Sequence, residues 1–273
     1  MKRIFLVPFL FLFVHTHAQL FESQLANYNP AYTGMMDDRF ADFNMSGFGL
    51  NRQFSINNFN ASYQQNLENI NSGFGVNMGY ARINFDNFRM TAFYTSLSYR
   101  YAFSFENGLR LSAGTRLSYG RFDVNDDNQQ GVSDGNAFGA QFGTMADYKN
   151  FTLGFALPNV GDGFRNVMIN SSYKFNASER IQLSLLSGTS IEYGRIEQNL
   201  RIRSDFNQRF WLTTGLRFVS HLNLNQQYFS YGIYVGYRIK QHYHIMLGTD
   251  FGFSNKVFSL YNPQIGLVYQ WRK

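Results

Sequence analysis

The strongest constraint on the fold is a two-residue alternation that continues beyond the usual length of a soluble strand. In residues 109–120, mostly apolar side chains at odd positions alternate with Arg, Ser and Gly at even positions. Alternation of this kind sorts the two sets onto opposite faces of a strand, whereas a helix scatters them around its surface. Soluble strands most often have about 5–6 residues, but a tilted membrane strand needs about 9–11. The segment therefore indicates a strand that crosses a membrane.

The same pattern recurs in residues 181–194, 229–239 and 245–253, each with a polar set rich in Gly, Ser and charge. Aromatic residues make up 18% of the chain and charged residues only 15%, while the mean hydropathy is −0.30. After the leader, no apolar run approaches the roughly 18 residues of a membrane helix. These features predict an all-β protein, a transmembrane antiparallel up-and-down β-barrel.

Segments of this kind number about 14 and occupy residues 39–273, which we predict to be the barrel. Their predicted bounds are 39–51, 54–67, 72–84, 88–103, 108–123, 135–149, 150–160, 165–177, 180–195, 197–209, 210–221, 228–240, 243–254 and 262–273.

The lengths of the predicted links indicate which end of the barrel faces the periplasm. Links after even-numbered strands are brief, as at residues 106–108 and 207–208, and longer links follow odd-numbered strands, as at residues 125–134 and 255–261. Outer-membrane barrels have short periplasmic turns and longer external loops. Both termini are therefore predicted to be periplasmic.

Charged side chains on the inner parity are predicted to face the lumen, because an Arg turned toward lipid at mid-membrane costs about 2–4 kcal/mol. These lumen charges are Arg110, Arg116, Glu192, Arg201, Arg203, Asp205, Arg217, Arg238 and Asp250. Aromatic residues gather toward strand ends, where interfacial girdles belong. They include Tyr99, Tyr101, Phe103, Phe210, Trp211, Tyr269 and Trp271.

The first residues resemble a secretory signal peptide, with a basic start, an apolar core at residues 4–14 and a small residue, Ala18, before the expected cut. That core is about half as long as a membrane helix requires. Residues 1–18 are thus predicted to be removed, and residues 19–38 to form a short periplasmic N-terminal segment. Export and the barrel pattern together predict the outer membrane of a Gram-negative bacterium.

The sequence offers little for catalysis, metals or cofactors. Cysteine is absent, and the +6 charge has no basic cluster that would indicate nucleic acid. His242 and His244 would share one face of a strand, but a zinc site needs three or four ligands. Acidic and amide side chains at residues 123–128, with Asp134, favour a solvated loop, with divalent-ion binding as the alternative. We predict no enzyme, no metal and no cofactor.

The stretch "NPAYTG" stands between the leader and the first strand. Its Asn-Pro favours an extended or turn conformation, and Gly34 permits a turn with positive φ. A stiff, aromatic-bearing turn below a barrel either plugs its mouth or docks a periplasmic partner; a plain linker is the alternative. Asn29, Pro30, Tyr32 and Gly34 are the candidate partner-binding residues.

"NPAYTG" resembles the NPAYAG signature of the PorP/SprF family of type IX secretion proteins. The resemblance continues through "LNRQFSINNFNASY", "SGFGVNMGYARIN" and "NAFGAQFGTMADYKNFTLGFALPNV", in order and spacing. One departure is "NPQI" at residues 262–265, where family members often carry a Ser-His-Glu-like triplet, and it leaves the subfamily open.

The resemblance implies an outer-membrane barrel, surrounded by lipid, that works with periplasmic and outer-membrane secretion proteins and assists secretion or surface anchoring of gliding adhesins. Two alternatives remain open. A 14-strand barrel lies between filled eight-strand barrels and open 16–18-strand porins, so a porin-like channel for small solutes is one. An outer-membrane lipid hydrolase is the other, although no base–nucleophile arrangement marks one.

Overall fold

The computed structural model describes residues 26, 29–35, 39–51, 54–85, 88–126, 131–158, 166–192, 194–207, 209–221, 226–239, 242–254 and 257–271. The predicted signal peptide lies outside these residues, as do Tyr28 and residues 127–130 of the predicted acidic loop. Among the described residues, no helix is long and apolar enough to cross a membrane.

Fourteen antiparallel strands form one closed barrel in chain order, which confirms the predicted fold. The strands are β1 Arg39–Asn51, β2 Phe54–Leu67, β3 Ser72–Phe85, β4 Phe88–Ser104, β5 Leu109–Asp126, β6 Gly131–Tyr148, β7 Phe151–Leu157, β8 Asn166–Ser178, β9 Ile181–Glu192, β10 Arg195–Phe206, β11 Phe210–His221, β12 Gln226–Arg238, β13 Tyr243–Ser254 and β14 Val257–Trp271. Two short 3-10 helices, Pro30–Tyr32 and Glu68–Ile70, complete the described elements.

Side chains separate onto the two faces of the wall as the alternation predicts. On β5, Leu111 and Leu117 are exposed on the outer surface, whereas Ser112 and Arg116 are buried toward the lumen. The outer surface is therefore apolar and the interior polar, the arrangement of a barrel whose solvent is lipid.

The predicted long links are partly wrong. β5 and β6 continue to Asp126 and from Gly131, so much of the predicted loop at residues 125–134 is strand. The last strand likewise begins at Val257 rather than at residue 262. Asp123 and Asp134 face each other in the β5–β6 register, and Arg121 lies 3.4 Å and 4.0 Å from their carboxylates. A hairpin with its own cation satisfies these acids, which sequence reasoning assigned to a loop.

The links at the end of the barrel that holds Arg39 and Trp271 are tight. Gly108, at φ +84°, and Asn207, at φ +50°, provide the left-handed backbone that such turns require. We call this end the short-turn end; at the other end the links between strands are equally short except that between β7 and β8, so link length alone does not distinguish the two ends.

Candidate functional site

Residues 29–35 lie inside the barrel, and we call them the plug. Their centre is the 3-10 helix Pro30–Tyr32, in which the Oδ1 of Asn29 accepts a hydrogen bond from the Ala31 amide at 3.0 Å. Proline suits the first helical position, because it has no amide hydrogen to satisfy there. Gly34 ends the turn at φ +67°. Local sequence thus forms a rigid turn, the conformation that the Asn-Pro and Gly predict.

All four candidate partner-binding residues of the sequence belong to the plug. Asn29 and Pro30 are fully buried and Tyr32 is 6% exposed, and Gly34 is buried as well. Since the same side chains cannot be buried against the wall and touch a partner at once, a contact through them requires the plug to leave its place. Their role toward a partner stays a prediction.

Hydrogen bonds tie the plug to strands on one half of the barrel. The Nδ2 of Asn29 donates to the carbonyl oxygens of Thr144 at 3.2 Å and Phe155 at 3.3 Å. The Nδ2 of Asn170 donates to the Tyr32 hydroxyl at 2.5 Å. Buried hydrogen bonds of this kind each contribute about 0.5–1.5 kcal/mol. β6, β7 and β8 are thus each bound to the plug.

Further bonds attach the plug to β2, β4 and β5. Thr33 Oγ1 donates to Ser98 Oγ at 3.0 Å, and the Gly34 amide donates to Gln64 Oε1 at 3.0 Å. Just before the plug, Arg116 donates to the carbonyl oxygen of Ala26. Arg116 is a predicted lumen charge, and here it holds the N-terminal segment.

Wall glycines make room for the plug, and we call Gly73, Gly114, Gly143 and Gly154 the glycine cradle. A Cβ on Gly73 would collide with the Thr33 carbonyl, one on Gly114 with the Pro30 carbonyl, and one on Gly143 with Asn29 Oδ1. A Cβ on Gly154 would lie 2.8 Å from Asn29 Nδ2. By contrast, a Cβ on Gly188 of β9 would meet no atom within 4 Å. The wall is therefore shaped to receive this segment.

Tyr32→Phe should loosen the plug without removing its ring. Loss of the bond to Asn170 costs about 1 kcal/mol, roughly a fivefold change in an equilibrium constant. Because the chain has no cysteine, a single Met35→Cys reports plug exposure through its rate of labelling by a water-soluble maleimide, which we expect to rise about fivefold. Tyr119→Phe, which loses a hydroxyl bond to Asn136 at 2.8 Å away from the plug, should leave the rate unchanged. An unchanged labelling rate in Tyr32→Phe would show that the hydrogen bond between Asn170 and Tyr32 does not hold the plug in place.

The opposite half of the wall carries charged and aromatic side chains. The guanidinium of Arg201 lies 5.7 Å from the centroid of the Tyr234 ring, and that of Arg203 lies 5.0 Å from the Trp211 ring. Asp250 accepts a hydrogen bond from the Tyr234 hydroxyl. Rings on β11 and β12 thus hold the two arginines, and each cation–π contact contributes about 0.5–2 kcal/mol.

Trp211 was predicted to lie in the interfacial girdle, and that is wrong. It is 5% exposed and packs in a buried cluster with Tyr234 and Met246. Its ring fills the space above Gly236, where a Cβ would collide with it. Trp211 does lie near the end of a strand, as predicted. The alternation along β11, however, turns Trp211 inward and leaves Phe210 on the outer surface, 41% exposed.

Among the described residues, four buried charges are missing from the predicted lumen set: Asp42, Arg100, Arg195 and Glu197. Glu197 accepts from Arg195 at 2.6 Å and from Arg217 through two bonds of 2.9 Å each. We call these three residues the Glu197 clamp. Arg195 and Glu197 share the parity of Arg201 and Arg203 along β10, so the alternation contained the signal.

The other predicted lumen charges also lie on the inner parity. Asp205 pairs with Arg203 at 2.7 Å, and Glu192 lies opposite Arg195 in the β9–β10 register. Arg238 donates to Nε2 of His244 at 3.3 Å. Within the described residues, no group of three or more His, Cys, Asp or Glu side chains has the arrangement of a metal site.

A single family description matches almost the entire chain. The sequence model of the family "Type IX secretion system membrane protein PorP/SprF" matches residues 15–269. The chain belongs to the PorP/SprF family. No curated protein has significant sequence similarity to this PorP/SprF chain.

Solved structures show the same fold at low sequence identity. The CymD monoaromatic hydrocarbon channel has a TM-score of 0.68 at 9% identity and covers 92% of this chain and 93% of its own. A FadL homologue of Pseudomonas aeruginosa has a TM-score of 0.58 at 12% identity, over 88% and 91% of the two chains. Omp33 of Acinetobacter baumannii has a TM-score of 0.50 at 11% identity, over 88% and 100%. The membrane-protein family and the outer-membrane barrel fold together support an outer-membrane location for this PorP/SprF protein.

Proposed function

We propose that this PorP/SprF protein is a non-enzymatic outer-membrane component of type IX secretion, which assists the secretion or surface anchoring of cargo proteins. The observation that carries the proposal is the family match over residues 15–269. Both termini face the periplasm in this proposal, where the N-terminal segment and the short turns meet periplasmic secretion proteins. Gliding adhesins are the cargo class that the family resemblance implies.

The plug weighs against the porin-like alternative. Backbone and side chains of residues 29–35 occupy the lumen beside β2–β8, and the wall glycines fit them. Plugged lumens also occur among outer-membrane transporters, so the plug argues against a permanently open pore rather than against every solute channel. In a secretion component, the plug would hold the N-terminal segment in a fixed position at the end of the barrel where periplasmic partners are proposed to bind.

Deletion of the protein tests the function itself. We expect secreted or surface-attached cargo to fall strongly while general outer-membrane proteins keep their abundance. Cargo secretion at the parental level would overturn the proposal.

A double variant, Pro30→Ala with Tyr32→Ala, tests the role of the plug. We expect the barrel to assemble, as judged by its heat-modifiable band in the outer-membrane fraction, while cargo secretion falls. The matched control is Pro158→Ala with Tyr173→Ala, which makes the same two exchanges outside the plug. Normal secretion at normal abundance in the plug variant would count against a plug contact with partners, while the deletion result would still stand.

A further inference from the structure

Several buried hydrogen-bond donors on β4 and β5 have no acceptor. Arg100 is fully buried, and its Nε and Nη1 have no hydrogen-bond partner. The Nε of Arg110 and the hydroxyl of Ser112 are likewise buried and unpaired. The single bond made by the Arg100 guanidinium is from Nη2 to Asn66 Oδ1, at 3.2 Å. Buried groups of this kind normally have partners, and buried charges have counter-charges.

The three residues that carry these donors share the inner face at the short-turn end. Arg100 lies opposite Gly114, and on the same two strands Ala102 lies opposite Ser112 and Ser104 opposite Arg110. The two guanidinium groups repel each other. The strands therefore gather two positive charges and a hydroxyl, and no balancing anion is present in the described part of the chain.

Among the residues that the structure describes, no acid neutralises this cluster. The register partners of Arg100 are both glycines, Gly73 and Gly114. Asp147 lies opposite Arg110, but its carboxylate accepts from Thr152 at 2.8 Å, and no ion pair within 4.0 Å joins the two in the described residues. The Glu197 clamp, in contrast, satisfies its arginines with a carboxylate. An uncompensated buried charge costs several kcal/mol, which an incoming anion would offset.

We propose that Arg100, Arg110 and Ser112 form a binding site for one oxyanion, a phosphate or a carboxylate. A guanidinium presents donors in a planar fork that matches the oxygens of both groups. The plug covers this oxyanion site, because Gly73 lies beneath both the Thr33 carbonyl and the Arg100 Nε. Occupation by an anion therefore competes with the seated plug, and anion binding favours the displaced plug.

The test uses the full-length barrel purified in detergent, with inorganic phosphate and glutamate as separate probes at constant ionic strength. Isothermal titration measures binding, and maleimide labelling of Met35→Cys measures plug exposure. We expect phosphate or glutamate to bind and to speed labelling, and Arg100→Gln to weaken binding by about tenfold or more. Arg203→Gln is the control, since Arg203 already pairs with Asp205, and it should bind the probes like the parent.

The two probes distinguish the sources of the anion: preference for phosphate indicates a phosphate group, and preference for glutamate an acidic polypeptide. Asp37→Asn with Asp38→Asn tests two carboxylates of the chain itself, which follow the plug in the sequence. Tighter probe binding in that variant would assign the oxyanion site to them and overturn an external ligand. If Arg100→Gln fails to fold, Arg110→Gln with Ser112→Ala gives the same comparison. Absence of binding by both probes, or equal binding in the arginine variants, would overturn the proposal.

Discussion

Leucine at Gly114 and Gly143 together is expected to expel the plug and open the barrel to ions. Each added side chain would occupy the space of Pro30 or Asn29, and overpacking costs about 1–3 kcal/mol per site. Because 1.4 kcal/mol is a tenfold change in an equilibrium constant, two such costs raise the unplugged population by at least about tenfold. Ion conductance in planar bilayers should increase in proportion.

Gly188→Leu is the matched control for this experiment. It adds the same side chain to the inner face of β9, where a Cβ meets no atom within 4 Å. We expect it to fold normally and to keep the conductance of the parent, or to lower it slightly by filling lumen space. Equal conductance in the cradle variant and the control would show that residues 29–35 do not limit passage.

Glu197→Gln is expected to give the largest loss of stability among single substitutions of the lumen. The carboxylate is 4% exposed and neutralises Arg195 and Arg217, which are 9% and 19% exposed. Removing one partner of a buried ion pair costs about 3–5 kcal/mol, because the remaining charges stay buried. The measurement is urea unfolding of the barrel in lipid vesicles, followed by tryptophan fluorescence.

Two further variants serve as the control and the rescue for Glu197→Gln. Asp205→Asn removes an acid from a pair whose two side chains are each 20% exposed, so water screens it, and we expect a cost of about 1 kcal/mol. Adding Arg217→Met to Glu197→Gln should restore part of the stability, because it removes one uncompensated charge. If Glu197→Gln is as stable as the parent, lumen water already solvates the clamp.

Period-two patterning predicted the wall in detail. The side chains of Arg110, Tyr234 and His244 face the lumen, as the alternation in their strands predicts. A side chain on a strand can point only to one face of the sheet or to the other. Strand ends were less predictable. Backbone hydrogen bonds between paired strands continue through polar residues such as Asp134 when an adjacent strand is present. The local composition does not show whether such a strand is present.

The plug was predictable only as a local shape. Asn29, Pro30 and Gly34 specify a turn by their own backbone preferences. Its destination depends on the cradle, whose glycines are spread from Gly73 to Gly154 and have no mutual spacing to recognise. From the sequence alone, glycines within these strands indicate relief of crowding inside a curved wall. In the structure, the atoms that lie closest to them include those of residues 29–34.

Closure of the cylinder joins the first strand to the last, with Arg39 beside Trp271 and Ser46 beside Gln264. The plug precedes that first strand, yet Tyr32 meets Asn170, 138 residues later in the chain. Non-local contacts of this length form slowly, since a large loop must close first. The plug can therefore complete its contacts only after β8 has joined the wall, although it precedes every strand of the barrel in the chain.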